Sequence, residues 1–177
     1  MKALSLKGKK ALVTGAGTGI GKQIATAFGE AGAHVVLTGR RWEVLEKAAS
    51  EIREKFGAET TCIKADVTIE EDVVNLGKAL PDLDILCNNA ALSLFGDWKT
   101  FPMDQWRDVF KANVEAPFRL CQIFAPKMME RGYGRIINIG SVYGLMGGNP
   151  ANYPGLDWDI APYFASKHAI HGITHYL

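Results

Sequence analysis

Tyr163 and Lys167 stand four residues apart in Tyr163-Phe164-Ala165-Ser166-Lys167, a spacing that sets a phenol and an ammonium on one face of a helix. A phenol that titrates near about 10 is a poor base at neutral pH, but a cation beside it favours the phenolate. Tyr163 is then able to give a proton to a carbonyl oxygen or take one from an alcohol. Ser141 is a second candidate, flanked as Ile139-Gly140-Ser141-Val142-Tyr143. Those flanks lack the G-x-S-x-G elbow of hydrolases, so Ser141 is not read as a nucleophile. Tyr143 is read as a residue that shapes the pocket. His168, His171 and His175 follow on the same helical pattern. No carboxylate or cysteine joins them, so they are assigned to packing or a subunit interface and not to a metal.

A nucleotide site is indicated near the start of the chain. Thr14-Gly15-Ala16-Gly17-Thr18-Gly19-Ile20-Gly21 follows the apolar run Ala11, Leu12, Val13 and opens a helical pattern. A phosphate approaches backbone N–H groups only where Cβ atoms are missing, and a helix N-terminus adds unpaired donors and a positive dipole end. After the loop, Ile20, Ile24, Ala27, Phe28 and Ala31 recur at helical spacing, predicting the face that packs on the preceding strand. Phosphoryl transfer is disfavoured, because Gly21-Lys22-Gln23 lacks the last residue of a G-K-[ST] ending.

Short apolar runs at Ala11 to Val13, Val35 to Leu37, Thr61 to Ile63, Ile85 to Cys87 and Ile136 to Ile139 suit strands covered on both faces. Helical patterns separate them, the fourth carrying Trp106, Val109, Phe110, Val114, Phe118 and Cys121. This alternation predicts a doubly wound α/β fold with one parallel sheet in the order 3-2-1-4-5. Ligands then sit beyond the carboxyl ends of the strands, where the order reverses. Strand two ends Leu37-Thr38-Gly39-Arg40-Arg41 with no carboxylate before Glu43. Arginine suits a ribose 2′-phosphate, so Arg40 and Arg41 favour NADP(H) over NAD(H), the alternative being a pair of solvated surface side chains. Asn113 lies beside Phe110, Val114 and Phe118, and a buried Asn needs partners. Pro117 has no N–H for the carbonyl of residue 113, which leaves that oxygen free to hold a water or simply kinks the helix.

The glycine loop, read as T-G-x-x-x-G-x-G, and Tyr163-x-x-x-Lys167 resemble the short-chain dehydrogenase/reductase family. Asn88-Asn89-Ala90-Ala91 resembles that family's N-N-A-G motif, with Ala91 in place of glycine. The resemblance implies a Rossmann-like nucleotide fold. It implies that Thr14, Gly15, Gly17, Thr18, Gly19, Ile20 and Gly21 surround the pyrophosphate, and that Asn89 and Ala90 border the adenosine ribose. Asp66 and Val67 would meet the adenine; a helix N-cap is the competing role for Asp66, although Thr68 with Glu71 three residues on makes the better cap. By the same resemblance Ser141 bonds the substrate oxygen, Lys167 also holds the nicotinamide ribose, and the backbone of Asn113 holds a relay water.

Two departures from the family stand out. Ser141 and Tyr163 are separated by an unusually long stretch through Gly147 to Asp159, rich in Asn, Pro and Gly around aromatics. It is expected over the substrate mouth and resembles the gluconate dehydrogenase-like branch, implying a polyol or sugar-acid substrate. The family also continues through further strands, so the sequence corresponds to roughly the first two-thirds of a usual member, with strand five expected as a sheet edge. Length and composition, 177 residues with 47% apolar, 22% charged and net charge +1, fit a single dinucleotide-binding domain and give no reason to expect a nucleic-acid partner. Met1 to Lys10 has neither a signal h-region nor a membrane span, which reads as cytoplasmic. Cys62, Cys87 and Cys121 read as buried free thiols. The function expected is NADP(H)-dependent oxidation or reduction of a small alcohol or carbonyl, in a homo-oligomer if full length. A catalytically inert nucleotide-binding fragment is the alternative.

Overall fold

The computed structural model describes residues 5–148 and 160–177. A five-stranded parallel sheet has the order β3-β2-β1-β4-β5, with β1 Lys10–Thr14, β2 His34–Gly39, β3 Thr60–Lys64, β4 Ile85–Asn88 and β5 Arg135–Asn138. Val13 pairs with Leu37 on one side and Cys87 on the other, so the carboxyl ends of β1, β2 and β4 finish level. Ala11, Leu12, Val13, Val35, Val36 and Leu37 are wholly buried. Such strands, covered on both faces, need no apolar-polar alternation. At the edge of the sheet β5 is only half covered, and Ile137 is exposed.

Contacts divide the chain into two compact units. One comprises Met1–Ala90 and Arg119–Ile137; the other comprises Ala91–Phe118 and Asn138–Leu177. The first holds the sheet, α1 (Gly19–Glu30), α2 (Trp42–Phe56), α3 (Glu70–Ala79) and most of α5 (Ala116–Glu130). Its core on one side joins Leu12, Val36 and Leu86 to Leu76 of α3 and to Leu120, Phe124 and Met128 of α5. α2 buries Leu45, Ala48, Ala49 and Ile52 and stops at Gly57, whose φ of 64° is the left-handed C-terminal conformation. The second unit holds α4 (Met103–Phe110), a π-helical turn at Lys111–Glu115 and α6 (Ala161–Tyr176).

Three local expectations are corrected. The buried face of α1 is Gly21, Ala25 and Gly29, not the apolar set beginning at Ile20, which is 65% exposed. Close packing selects small residues there: a Cβ on Gly29 would lie 2.5 Å from Ile52 Cγ2. The fourth helical pattern is interrupted by the π turn, closed by the Ala116 N–H to the Lys111 carbonyl. Val109 and Cys121 of the expected stripe are buried, together with Asn113, Ala116, Pro117, Leu120 and Phe124, while Phe118 faces outward. Finally, Thr68 does not cap α3. Its N–H and hydroxyl both donate to Asp66 Oδ1, at 3.0 and 2.8 Å, and the helix begins after Ile69 with no side-chain cap.

The small-residue face of α1 is testable by urea unfolding. Gly29→Val should cost about 1–3 kcal/mol through overpacking against Ile52, whereas Ala27→Lys, at an exposed position, should stay within about 0.5 kcal/mol.

Candidate active site

In the first unit the ends of β1 and β4 are tied together by one hydroxyl. Thr14 is buried, and its Oγ1 accepts from the N–H groups of Asn89 and Ala90 at 3.0 and 2.9 Å while donating to the Cys87 carbonyl at 3.4 Å. The Asn89 side chain returns the link, donating through Nδ2 to the Thr14 carbonyl at 2.8 Å. Asn88 turns inward, its Nδ2 3.7 Å from Cys121 Sγ. A Cβ at Gly21 would collide with Asn89 Nδ2 and with the Gly15 carbonyl, and one at Gly17 would come within 2.9 Å of Val44. These glycines let the loop close tightly on β4 and α2.

The rest of the loop faces outward. α1 starts behind Thr18 with no side-chain cap, Gly19 has φ 55° with nothing within 4 Å of a Cβ position, and Ile20 is exposed. Open space at an uncapped helix N-terminus fits a pyrophosphate. The two arginines after β2 differ. Arg40 is exposed with Nη1 4.0 Å from Asp66 Oδ2, while Arg41 is the N-terminal boundary residue of α2. Asp66 keeps Oδ1 on Thr68, and its own N–H donates to Asp72 Oδ2 at 2.7 Å. Val67 packs against the sheet core.

The second unit gathers Asn113, Ser141, Tyr163 and Lys167. Pro162 starts α6 in the first turn, where its missing N–H costs nothing. Tyr163 and Lys167 share a face one turn on, with Lys167 Nζ 5.5 Å from the phenol ring centre. Lys167 is 4% exposed, and its Nζ donates to the Ile139 carbonyl at 2.6 Å. Burial holds its ammonium below the ordinary lysine value. Ser141 ends the segment leaving β5 and caps the short 3₁₀ turn Val142–Gly144, its Oγ accepting from the Tyr143 N–H at 3.2 Å. The Tyr143 ring tilts over Phe164, centres 4.4 Å apart.

Asn113 is buried in the π turn, with its oxygen and both N–H groups hydrogen-bonded. Oδ1 accepts from the Leu92 N–H at 2.7 Å, and Nδ2 donates to the Leu92 carbonyl at 2.9 Å and to Ser166 Oγ at 2.9 Å. Ser166 in turn donates to the Tyr163 carbonyl at 2.8 Å. Leu92 and Ser166 were not singled out by sequence, since neither spacing nor residue type distinguishes them; only the need of a buried Asn for partners pointed that way. His168 Nδ1 lies 3.0 Å from the Phe164 carbonyl, and no metal-binding group of His, Cys, Asp and Glu occurs among the described residues. The aromatic stretch expected over the substrate mouth lies, for residues 149–159, outside the described residues.

The short chain dehydrogenase family profile matches residues 9–177. The chain is 36% identical over 175 residues to the 2-dehydro-3-deoxy-D-gluconate 5-dehydrogenase of Bacillus subtilis, covering 97% of this chain and 65% of that protein. It is 37% identical over 174 residues to the gluconate 5-dehydrogenase of Gluconobacter oxydans, covering 96% and 64%. The chain thus spans a little under two thirds of the length of these relatives. Among solved structures, a metagenomic short-chain oxidoreductase in complex with NADP superposes with a TM-score of 0.87 at 33% identity, covering 97% of this chain and 75% of that one.

Removing the Thr14 hydroxyl tests the β1–β4 tie. Thr14→Ala leaves the Asn89 and Ala90 N–H groups without their acceptor and should destabilise by about 1–3 kcal/mol in urea unfolding. Thr14→Ser should recover most of that loss.

Proposed function

The chain belongs to the short-chain dehydrogenase family, and we propose that it interconverts a secondary alcohol and a carbonyl of a sugar acid or polyol, using NADP(H) in preference to NAD(H). The observation that carries this reading is the pairing on α6 of the Tyr163 phenol with a buried lysine ammonium. A group that trades protons with an oxygen is what alcohol-carbonyl chemistry requires of the protein. The sugar-acid class is supported by the names of the two gluconate-type relatives, and the cofactor class by the NADP in the superposed structure.

In this reading the dinucleotide, when bound, supplies or takes up the hydride. The protein does the rest. Gly15 to Gly21 hold the pyrophosphate at the N-terminus of α1. Arg40 receives the 2′-phosphate, with Arg41 beside it in sequence, because a guanidinium offers a planar fork to phosphate oxygens. Asp66 and Val67 border the adenine, and Asn89 and Ala90 the adenosine ribose. Ser141 donates to the substrate oxygen; its Oγ already accepts from Tyr143 N–H, so its proton is directed away from that bond. Tyr163 gives the proton during carbonyl reduction and takes it during alcohol oxidation. Lys167 holds ribose hydroxyls and supplies positive charge near the phenol, and the backbone of Asn113 holds a water that passes protons to Lys167. We place the protein in the cytoplasm as a homo-oligomer; among the described residues no helix is long and apolar enough to cross a membrane.

D-gluconate with NADP⁺, and 5-ketogluconate with NADPH, are the assays. Tyr163→Phe should lower kcat by about 10²–10⁴-fold while the NADPH dissociation constant, read by fluorescence, stays essentially unchanged. NADPH binding without turnover in the unaltered chain would instead support an inert nucleotide-binding protein, and absence of binding would defeat both readings. Arg40→Ala should raise KM for NADPH by about 10-fold or more, the loss of a charge-assisted bond, and leave KM for NADH alone. A wild-type preference for NADH would overturn the cofactor assignment.

A further inference from the structure

The segment that carries Ser141 is pressed onto α6 at two glycines, and a histidine side chain lies against both. A Cβ at Gly140 would lie 2.5 Å from His171 Nε2 and 3.1 Å from its Cδ2. A Cβ at Gly144 would lie 3.0 Å from the same Nε2 and would collide with the carbonyl oxygen of Lys167. The Nε2 edge of the imidazole therefore meets the backbone just before Ser141 and again at the last residue of the turn that Ser141 caps. One residue earlier, the Ile139 carbonyl accepts from Lys167 Nζ at 2.6 Å. His171 is one helical turn beyond Lys167 and two beyond Tyr163, so all three lie along one side of α6.

We infer that His171 is a positioning residue: its ring is the spacer that fixes how far the Ser141 segment stands from the helix bearing Tyr163 and Lys167. The inference rests on the roles proposed above for Ser141 and Tyr163. Three supports act in series along the segment. Lys167 Nζ holds Ile139, the imidazole underlies Gly140, and the α6 backbone meets Gly144. The first and third are a hydrogen bond and a backbone contact. Only the second depends on the size of a side chain that takes no part in the proposed proton transfer. A smaller residue at 171 lets the segment settle toward the helix, and misplacement by about 1 Å is enough to slow a reaction by about 10²-fold.

The different collision partners of the two glycines give a test on the whole chain. Variants Gly140→Ala, Gly144→Ala and His171→Ala, and the two pairs that combine each glycine change with His171→Ala, are compared by thermal midpoint. Each is also compared by kcat and KM with NADPH and 5-ketogluconate. His171→Ala alone should lower kcat about 10- to 100-fold with KM for NADPH within about 2-fold. Gly140→Ala should lower both midpoint and kcat, and adding His171→Ala should recover part of each, because the methyl then enters the space the ring vacates. Gly144→Ala should not be recovered, because its methyl meets the Lys167 carbonyl. An unchanged kcat in His171→Ala would overturn the inference, as would a Gly140→Ala/His171→Ala midpoint no higher than that of Gly140→Ala. If 5-ketogluconate is not turned over by the unaltered chain, the substrate assignment fails by itself, and recovery or non-recovery of the midpoint then decides the spacer.

Discussion

Exclusion of Cβ atoms at a few backbone contacts is the constraint on which the glycine loop of the first unit and the Ser141 segment of the second each depend. At Gly21 it lets α1 start against the Gly15 carbonyl and the Asn89 amide. At Gly140 and Gly144 it lets the Ser141 segment lie on α6. In each case a methyl group would meet backbone, an amide or a ring within hard-sphere distance, and no rotamer change of the glycine position could relieve it. Interiors packed to crystal-like density transmit such a displacement and do not absorb it. Residues that have no side chain thus set how closely these segments approach their neighbours.

Much of this was legible in the sequence. β1 and β2 are apolar and buried on both faces, and helical patterns separate all five strands, so a doubly wound parallel sheet followed from alternation and handedness; the order 3-2-1-4-5 is one of two common orders that satisfy those rules. The glycine loop and the Tyr163–Lys167 spacing were visible because chemistry restricts both residue type and interval. What failed were the finer assignments of face. Ile20 fits a 3.6-residue stripe, yet a helix packed this closely buries Gly21, Ala25 and Gly29 and leaves Ile20 outside. The π turn at Lys111–Glu115 could not be read by a method that assumes one period throughout. Thr68 and Glu71 matched a capping pattern, but Asp66 engages both donors of Thr68 first, an instance of local side-chain bonds competing with helix geometry. Ser166 and His171 matter through what they touch across the fold, which no interval along the chain records.

Polar burial shapes the second unit. Asn113 and Ser166 are enclosed, and each polar atom reaches a partner in the Leu92–Asn113–Ser166–Tyr163 chain of bonds. Such a network favours one arrangement, because any slip leaves a donor or acceptor unsatisfied in a dry interior. Lys167 is different. Its hydrogen bond to the Ile139 carbonyl does not offset desolvation, and its folded proton affinity lies below that of a solvent lysine. A lysine depressed in this way opposes folding while protonated, so its cost fades as pH rises above the folded value toward the ordinary 10.5. Ionisable groups perturbed by burial in this way cluster at functional sites.

The three thiols sit in the sheet-bearing unit, at Cys62, Cys87 and Cys121, and all are free. Burial pushes Cys87 up to about 11, and burial together with Glu46 pushes Cys62 up to about 12; desolvation raises Cys121 as well. At neutral pH the anion of Cys87 is on the order of one molecule in ten thousand, and it is the anion that attacks peroxide or an alkylating electrophile. The thiols of the sheet-bearing unit are thereby weak nucleophiles at neutral pH, Cys87 and Cys121 from within the core and Cys62 from a half-buried position.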